Sequence, residues 1–585
     1  MTTIKIIKLP LLYKNGLQHP NRIKMFYRKI LTDLEKWRTS DSRKPMIIRG
    51  ARQVGKTTVV NEFGKQFKQY IYLNLENPID KELFEGYTDI HSLTEKIFFV
   101  KELKLEYLKD TLLFIDELQE APKVVNLLRY FKEEKGDLPV IAAGSMLETL
   151  LGKNISFPVG RVQFRILRPV SFEEFLGALN ENMALEQLQK VPLNDYAYSK
   201  ILSLFHTYAL IGGMPEIVKH YAKNRDITAL GDIYNTLLES YITDAEKYSR
   251  SKEELQLIRY TIQQSIQYAG KRFTFEGFGN GKYKSREIGE TLRTLQKTHL
   301  IQLIYPTVSF TIPAIEDYKK SPRLQFLDSG LLNHFVGLKN EILGTKDLNS
   351  VYQGTLIEHL VGQEILSYQT FPLNKLHYWV RQKNNSSAEV DFVYPFEGKI
   401  IPVEVKSGSI GKIKSLQLFM NESPLNYAIR FYAGKFSLDK VQTQEGKAFY
   451  LLNLPYFLAS QLEHYIHWLQ NNLPQEENEV IKLEDPKAKY NASKKEKEIK
   501  LDLKNLPEKY LSILKYCETE PKKGKEIIEE LLGLTYQSRN KKIFIKPLLD
   551  LGLIDYMDKE FLKSKKQTYF LTEIGKVVLL ENIKL

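Results

Sequence analysis

Cysteine is almost absent from the sequence, which has Cys517 alone among its 585 residues. A single thiol excludes a disulfide scaffold and any cysteine-based zinc or iron–sulfur site, and it is typical of proteins of the reducing cytosol. Long apolar runs are also missing, because no stretch approaches the ~20 residues that cross a bilayer. Lys5 and Lys8 interrupt the apolar residues near the start, so no signal-peptide core is predicted. We therefore expect a cytoplasmic protein without a membrane partner.

The charge is unbalanced toward the basic side, with 84 Lys and Arg against 71 Asp and Glu and a formal charge of +13. Hydrophobic residues make up 43% of the chain, which is enough to build cores and excludes bulk disorder. Part of the surplus lies in residues 481–585, where 23 Lys and Arg face 17 Asp and Glu. Such a balance suits contact with nucleic-acid phosphates, but it also suits a lysine-rich surface in water. Charge alone leaves both interpretations open.

The length predicts several domains, at roughly 150 residues each, and the hydrophobic pattern divides the chain further. Short apolar runs that alternate with helical stretches indicate α/β domains with parallel strands, and a polar stretch poor in aromatic residues indicates a linker. We predict an α/β core over residues 20–175, a helical segment over 176–245, a winged-helix-like unit over 246–320, a second α/β domain over 321–472, a linker over 473–500 and a small basic domain over 501–585.

Residues 50–57 form the pattern Gly-x-x-x-x-Gly-Lys-Thr between an apolar strand and a helix, the context that supports a phosphate-binding P-loop. Its glycines let successive N–H groups point at phosphate oxygens, while the lysine reaches the β- and γ-phosphates and the threonine hydroxyl binds Mg²⁺. The predicted nucleotide-binding residues are Gly50, Ala51, Arg52, Gln53, Val54, Gly55, Lys56, Thr57 and Thr58.

A second motif, the apolar run 111–115 followed by Asp116 and Glu117, completes a site for ATP hydrolysis. We expect Asp116 to hold Mg²⁺ through water and Glu117 to polarise the attacking water. The next apolar run ends at Ser145, a position expected beside the γ-phosphate as a sensor. Arg161 is a candidate arginine finger or sensor, with Arg168 as the competing candidate and an ordinary solvated arginine as the alternative.

These motifs, together with Leu167–Phe175 and Ile211–Glu216, resemble the bacterial and archaeal AAA+ ATPases related to the STAND branch. The resemblance covers roughly residues 20–460. It implies a P-loop domain with a helical lid, in which Pro215 approaches the nucleotide base, followed by a nuclease-like domain of unknown function. It further implies ATP and Mg²⁺ as cofactors and a homo-oligomeric ring, with a hexamer favoured.

A second set of charged residues lies in residues 387–408, where Asp391 stands in one strand and Glu404 and Lys406 share a face of the next. Two carboxylates can chelate Mg²⁺ while a lysine orients water, as phosphodiester cleavage requires. Glu358, on an upstream helix, is the expected third carboxylate, and Glu364 is expected to be a surface or structural residue. The pattern resembles the PD-(D/E)xK nucleases, though domains of this kind can also bind nucleic acid without cutting it.

The order of elements in residues 501–585 is helix, helix, basic helix, strand and basic hairpin, which is typical of a winged helix that binds DNA or contacts protein. Gln537 and Asn540 are possible base-reading residues. The predicted phosphate contacts are Arg539, Lys541, Lys542, Lys565 and Lys566.

Three functional hypotheses remain open at this point. The first is an oligomeric ATPase that acts on or with DNA, in which hydrolysis moves the nuclease-like and winged-helix domains. The second is a STAND-like switch, in which nucleotide exchange gates assembly without DNA processing. The third is a DNA nuclease that ATP licenses, for example in defence.

Overall fold

A computed structural model describes residues 26–86, 89–145, 160–247, 249, 251–337, 354–372, 374–382, 388–406, 413–473, 506–537, 540–557 and 568–583. The chain forms two compact units, Met1–Leu483 and Glu484–Leu585. No helix in these ranges combines the length and the apolar character that a membrane span requires.

The first sheet of the larger unit is a parallel α/β sheet in the order β2-β3-β4-β1-β5. Its three central strands β1, β3 and β4 are mostly apolar, as expected where helices cover both faces of a sheet, and all six residues of β3 are buried. The strand β4 lies between β1 and β3 and pairs with both in parallel register. The five strands are β1 (Met46–Arg49), β2 (Gln69–Asn74), β3 (Thr111–Asp116), β4 (Val140–Ala143) and β5 (Gln163–Ile166).

Helices on both faces of this sheet carry apolar residues at helical spacing. In the helix Lys123–Glu134, for example, Val124, Leu128 and Phe131 are buried together. The helices of this part are α1 (Ile30–Arg38), α2 (Lys56–Gly64), α3 (Pro78–Glu82), α4 (Ile90–Val100) and α5 (Lys123–Glu134).

A helical segment follows the sheet, as the apolar periodicity predicts. It begins with a capping box, in which the Ser171 hydroxyl accepts from the Glu174 backbone N–H and the Glu174 carboxylate accepts from that of Ser171. Its helices are α6 (Phe172–Ala178), α7 (Asn182–Leu188), α8 (Tyr198–Ile211), α9 (Pro215–Asn224) and α10 (Gly231–Glu246).

The next segment contains two helices, α11 (Lys252–Ser265) and α12 (Ser285–Lys297), and a short antiparallel sheet. The sheet joins β6 (Ile301–Ile304) to a strand at Arg323–Phe326, which is β8 because β7 (Pro306–Thr307) lies between them. The pairing therefore crosses the predicted domain boundary at residue 320. The winged-helix interpretation of this segment stays a prediction.

A seven-stranded mixed sheet forms the second α/β part, in the order β13-β14-β12-β11-β10-β9-β7. Antiparallel β10 and β11 form a hairpin at its centre, and β12 and β14 continue in parallel register. The strands are β9 (His377–Val380), β10 (Glu389–Phe396), β11 (Lys399–Val405), β12 (Tyr427–Tyr432), β13 (Ser437–Gln442) and β14 (Ala448–Pro455). The helices are α13 (Ser329–Val336), α14 (Gly354–Tyr368), α15 (Lys414–Glu422) and α16 (Leu462–Asn472).

The smaller unit contains a three-stranded sheet in the order β15-β17-β16. Its core is formed by residues such as Ile513, Ile527 and Leu548. The elements are α17 (Glu508–Thr519), β15 (Lys522–Lys523), π-helical turns at Glu526–Leu531 and Lys541–Ile545, α18 (Lys546–Asp550), β16 (Ile554–Tyr556), β17 (Thr568–Leu571) and α19 (Glu573–Ile583). The linker predicted over 473–500 lies, apart from residue 473, outside the described residues.

Glu364 joins the helix α14 to the first domain and is completely buried. Its carboxylate accepts hydrogen bonds from the Phe172 N–H (3.1 Å) and the Tyr208 hydroxyl (2.6 Å). Burial raises the pKa of Glu364 to about 7. Of the two roles expected for this residue, the structural one therefore holds and the surface one is wrong.

We expect Glu364→Gln to remove a pH-dependent loss of stability. Because the folded-state pKa lies above the ordinary value, folding disfavours the carboxylate, and the free energy of unfolding of the wild type falls as pH rises from about 4.5 to 7. Between pH 5 and pH 8, the free energy of unfolding of the variant should rise by on the order of 2 kcal/mol relative to that of wild type. Urea unfolding at the two pH values measures this difference. The exposed Glu106→Gln is the control, and an unfolding difference between Glu364→Gln and wild type that does not change with pH would contradict this.

Candidate nucleotide site and carboxylate cluster

The loop after β1 curls tightly because three of its residues have positive φ: Gly50 (+142°), Gln53 (+58°) and Gly55 (+93°). Glycine is required at position 50 for a second reason, since a Cβ there would lie 2.2 Å from the Leu167 carbonyl oxygen. The helix α2 begins directly after the loop, at Lys56, so its N-terminal N–H groups and dipole point into the curl. The local geometry is that of a phosphate-binding loop.

Lys56 lies inside this curl. Its Nζ donates to the carbonyl oxygens of Gly50 (3.0 Å) and Ala51 (2.8 Å). Burial lowers the pKa of Lys56 to about 8, although the nearby carboxylates of Glu117 and Asp116 act in the opposite direction. A buried ammonium that has only carbonyl partners is well placed for a polyphosphate.

The end of β3 brings the predicted carboxylates to the P-loop. Asp116 Oδ2 accepts a hydrogen bond from the Thr57 hydroxyl at 2.6 Å, and its Oδ1 accepts from the Glu117 N–H at 3.0 Å. Burial raises the pKa of Asp116. A threonine hydroxyl and a carboxylate in contact are the two protein groups that bind Mg²⁺ in P-loop enzymes, so the donor set fits this ion.

Glu117 and Ser145 lie on the same edge of the sheet. The backbone of Glu117 is left-handed (φ +51°), and its carboxylate accepts from Gln119 Nε2 at 2.6 Å. Ser145 lies two residues after the end of β4, the strand between the P-loop strand and β3, and its buried Oγ has no hydrogen-bond partner among the described residues. The predicted water-activating and sensor residues thus lie at the ends of adjacent strands.

The helical segment closes over the loop from the other side. Pro215, the first residue of α9, approaches Gly55, and its Cγ lies 3.7 Å from where a Cβ on Gly55 would stand. The Tyr241 hydroxyl on α10 donates to the Arg52 carbonyl at 2.6 Å, and Asp244 pairs with the Arg52 guanidinium at 2.5 Å. Helices α9 and α10 therefore contact the phosphate loop directly.

Arg28 supports the P-loop through its guanidinium, a role that was not predicted from the sequence. Its guanidinium donates to the carbonyls of Val54 (2.9 Å) and Arg168 (2.6 Å) and pairs with Glu174 (3.1 Å). Arg28 precedes the first helix by two residues and lies outside every motif. The capping-box glutamate Glu174, within the motif 167–175, is the only part of this arrangement that a sequence pattern could indicate.

The two candidate arginines have different surroundings. Arg161 is exposed, and its Nε pairs with Glu133 at 2.9 Å on the surface of its own chain. Arg168 lies on the segment after β5 and faces a cavity behind the P-loop. The finger or sensor role of either arginine stays a prediction.

The second predicted site is a cluster of carboxylates around an arginine, Arg323 on β8. Asp391 and Glu404 are buried on the neighbouring strands β10 and β11, as strand periodicity predicts, and Asp391 Oδ2 accepts from the Val405 N–H at 2.8 Å. Arg323 lies 3.3 Å from Asp391 and 3.4 Å from Glu358, and it also pairs with Glu389. The guanidinium thus occupies the space between the predicted metal ligands.

Burial and charge pairing together determine the pKa values in this cluster. Burial raises the pKa of Glu404 to about 8, with Asp391 adding to the effect, while Lys406 pairs with Glu404 at 2.5 Å and lies 4.0 Å from Asp391. Burial likewise raises the pKa of Glu358 to about 8. For Arg323, burial lowers the pKa, but the carboxylates of Asp391, Glu389 and Glu358 outweigh it and the net shift is upward.

The cationic neighbours of these carboxylates bear on the predicted metal site. Within the described part of the chain, no group of three or more His, Cys, Asp and Glu side chains is arranged to hold a metal ion. The Mg²⁺ site predicted at Glu358, Asp391 and Glu404 stays a prediction, and in this structure Arg323 and Lys406 pair with these carboxylates. Arg323 lies 35 residues before Glu358 in sequence, so no local motif indicated it.

The predicted DNA contacts lie largely beyond what the structure describes. Arg539, Lys565 and Lys566 are outside the described residues, and of Lys541 and Lys542 only the backbone, in a π-helical turn, is described. Their role stays a prediction.

Comparisons with known proteins agree with the nucleotide site. An AAA domain matches residues 42–176, and two domains of unknown function, DUF8612 and DUF4143, match residues 202–342 and 353–456. The chain therefore contains a P-loop ATPase domain of the AAA type. No curated protein matches the sequence significantly.

Two solved structures are similar to parts of the chain. The Walker-type ATPase PABY2304 of Pyrococcus abyssi is 15% identical, with 54% of this chain and 99% of that chain covered and a TM-score of 0.35. The STAND protein PH0952 of Pyrococcus horikoshii, which has a tetratricopeptide repeat sensor, is 13% identical, with 60% and 49% covered and a TM-score of 0.22. This chain spans about half the length of the STAND protein.

We expect Arg28→Lys to weaken nucleotide binding. A single ammonium cannot contact Val54, Arg168 and Glu174 together, so the loop loses support on one side. The dissociation constant of a fluorescent ATP analogue should rise about tenfold, which corresponds to about 1.4 kcal/mol. Arg38→Lys, at a half-buried arginine that contacts Gln66 and Phe67, is the control, and equal affinity for Arg28→Lys and wild type would contradict the supporting role.

We expect Arg323→Gln to leave uncompensated carboxylates and to lower the free energy of unfolding by about 3–5 kcal/mol. Millimolar Mg²⁺ should recover part of this loss in nucleotide-free protein, because a divalent ion can replace the missing charge. Arg272→Gln, which removes a contact with Glu389 at 3.2 Å and contacts with Tyr378, should show neither effect. Melting curves with Mg²⁺ and with EDTA check this, and an Arg323→Gln variant that melts like wild type would contradict it.

Proposed function

We propose that the chain is a Mg²⁺-dependent ATPase that acts with DNA, in which the nucleotide at the P-loop controls the domains that follow. The observation that carries the ATPase part is the contact of Thr57 with Asp116 beside Lys56 and Glu117. These are the four groups that P-loop hydrolysis needs at one position.

In this proposal, the loop 50–57 binds the phosphates through its N–H groups, and Lys56 exchanges its two carbonyl partners for phosphate oxygens. Thr57 and Asp116 would hold Mg²⁺, which when bound neutralises negative charge on the β- and γ-phosphates. Glu117 orients the attacking water and accepts its proton, and Ser145 offers its unpaired hydroxyl to the γ-phosphate.

The helical segment provides a route from nucleotide to the rest of the chain. Its contacts with the loop, from Pro215 and Tyr241, are made next to the residues that bind phosphate. Closure or release of this lid on hydrolysis would move α10, which leads directly into the unit at 252–326. Arg161, exposed and held by a surface ion pair, is available to a neighbouring subunit of a ring, for which we favour a hexamer.

The DNA part of the proposal depends on charge. The smaller unit carries part of the basic surplus, and the order of its elements is compatible with a winged helix. We propose that it binds the DNA phosphates through Arg539, Lys541, Lys542, Lys565 and Lys566.

A second candidate, a STAND-like nucleotide-gated switch without DNA processing, is favoured by the direct contacts of α9 and α10 with the loop. They suit a device whose lid responds to nucleotide exchange. A nuclease licensed by ATP is less well supported, because Arg323 stands among the carboxylates that would bind the metal.

We expect Glu117→Gln to bind ATP with near wild-type affinity and to lower the turnover of ATP by about 10²- to 10⁴-fold, because water loses its base. Glu120→Gln, which changes the next acidic residue on the same turn, is the matched control. Phosphate release should be measured with and without single- and double-stranded DNA.

Each outcome of this assay discriminates between the hypotheses. Faster turnover with DNA supports an ATPase that acts with DNA. Slow turnover linked to assembly, with no DNA binding, favours the switch. Wild-type turnover in Glu117→Gln would contradict the proposed mechanism itself.

A further inference from the structure

A cavity of about 270 Å³ borders the P-loop at Gly50 and Ala51. Gly50 and Ala51 form one wall, the segment Ile166–Pro169 a second, and His299 with neighbouring residues of the unit at 252–326 a third. Residues near the end of α14 complete it. The cavity therefore borders the P-loop, the segment after β5, the unit at 252–326 and α14.

The charge of this cavity is one-sided. Arg49 and Arg168 line it, whereas no aspartate or glutamate of the described residues does. Lys375, at the rim, is already paired with Glu316 at 3.1 Å. The two arginines thus give the cavity a positive potential that no lining carboxylate offsets.

The excess of positive charge in the cavity is clearest at Arg168. Its Nε is enclosed and has no hydrogen-bond partner among the described residues, and no carboxylate pairs with it there. Burial alone lowers its pKa to about 10. A buried guanidinium N–H without a partner is costly, and an anion that accepts a hydrogen bond from Nε would remove that cost.

His299 points to the same chemistry. Burial and the cations Arg168, Lys56 and Arg49 lower its pKa to about 3. The imidazole is therefore neutral and can donate one hydrogen bond to a bound oxygen. Gln302, which also lines the cavity, offers an amide donor.

We propose that this cavity binds a small phosphate-bearing anion, separate from the nucleotide in the P-loop, with Arg168 as its principal ligand. A volume slightly below the usual range for ligand pockets, roughly 300–1,000 Å³, suits pyrophosphate or a nucleoside monophosphate better than a second triphosphate. Planar arginine donors match phosphate oxygens in pairs, which favours phosphate over a simple halide.

The position of the cavity couples this anion to the nucleotide site. Gly50 and Ala51 line the cavity and also present the two carbonyls that hold Lys56. The carbonyl of Arg168 accepts from Arg28, which in turn holds the carbonyl of Val54. An anion on Arg168 would therefore act on the loop at the shared wall of Gly50 and Ala51 and, indirectly, through Arg28.

The test is calorimetric titration of the full chain after its P-loop has been saturated with Mg²⁺ and the non-hydrolysable analogue AMP-PNP. Pyrophosphate is titrated in one arm and AMP in the other, which separates an inorganic ligand from a nucleotide. We expect one additional site for at least one of them. Arg168→Gln should weaken it by about 10- to 100-fold, the usual value of a charge-assisted contact.

The controls keep the outcome decisive. Arg129→Gln, an exposed arginine that pairs with Glu133, should bind like wild type. An anion held near the γ-phosphate would not respond to position 168, so equal affinity in folded Arg168→Gln overturns the proposal. If that variant does not fold, Arg168→Lys replaces it with an expected intermediate loss. Absence of binding to wild type at millimolar ligand overturns the proposal whatever the variants do.

Discussion

The close approach of two backbone segments is the constraint on which the nucleotide site depends. The Leu167 N–H donates to the Arg49 carbonyl at 2.8 Å, and the Leu167 carbonyl lies so near Gly50 that no side chain fits there. Residues 167–170, here called the supporting segment, therefore pack against the back of the loop and help to hold its curl. Arg28 adds to this support, because its guanidinium donates to the Val54 carbonyl of the loop and to the Arg168 carbonyl of the supporting segment. The geometry of the phosphate site is therefore a property of the packed domain as well as of its motif.

The supporting segment also connects the loop to the rest of the larger unit. The Val170 N–H donates to the Gly213 carbonyl at 2.6 Å, and the Gly213 N–H donates to buried Asp328 at 2.5 Å. A Cβ on Gly213 would lie 2.1 Å from the Val170 carbonyl, so this crossing is also a backbone contact. Asp328 caps α13 through the Leu331 N–H. Rigid contacts of this kind can transmit a change at the P-loop over three structural segments.

The parts of this protein that the sequence predicts are those whose chemistry is local. The P-loop, Asp116 and Glu117 are defined by spacing within a strand and a turn, and the structure brings them together as expected. The pairing of Asp391 with Glu404 also follows from strand periodicity. Arg28 and Arg323 could not be predicted, because their partners lie far away in sequence and a single arginine outside a motif resembles any surface arginine. The contacts of these two arginines join residues that are distant in sequence, so they form only in the folded chain.

Arg323 changes the meaning of the carboxylate cluster, since a cation of the protein itself neutralises the acids of the nuclease-like pattern. The chemical activity that remains best supported is therefore at the P-loop, with the lid as its output. Hydrogen–deuterium exchange tests this claim most directly, with and without Mg²⁺ and AMP-PNP. The account predicts that nucleotide changes exchange in residues 49–57 and also in α9 and α10. A change confined to the loop, with α9 and α10 unaffected, would contradict it.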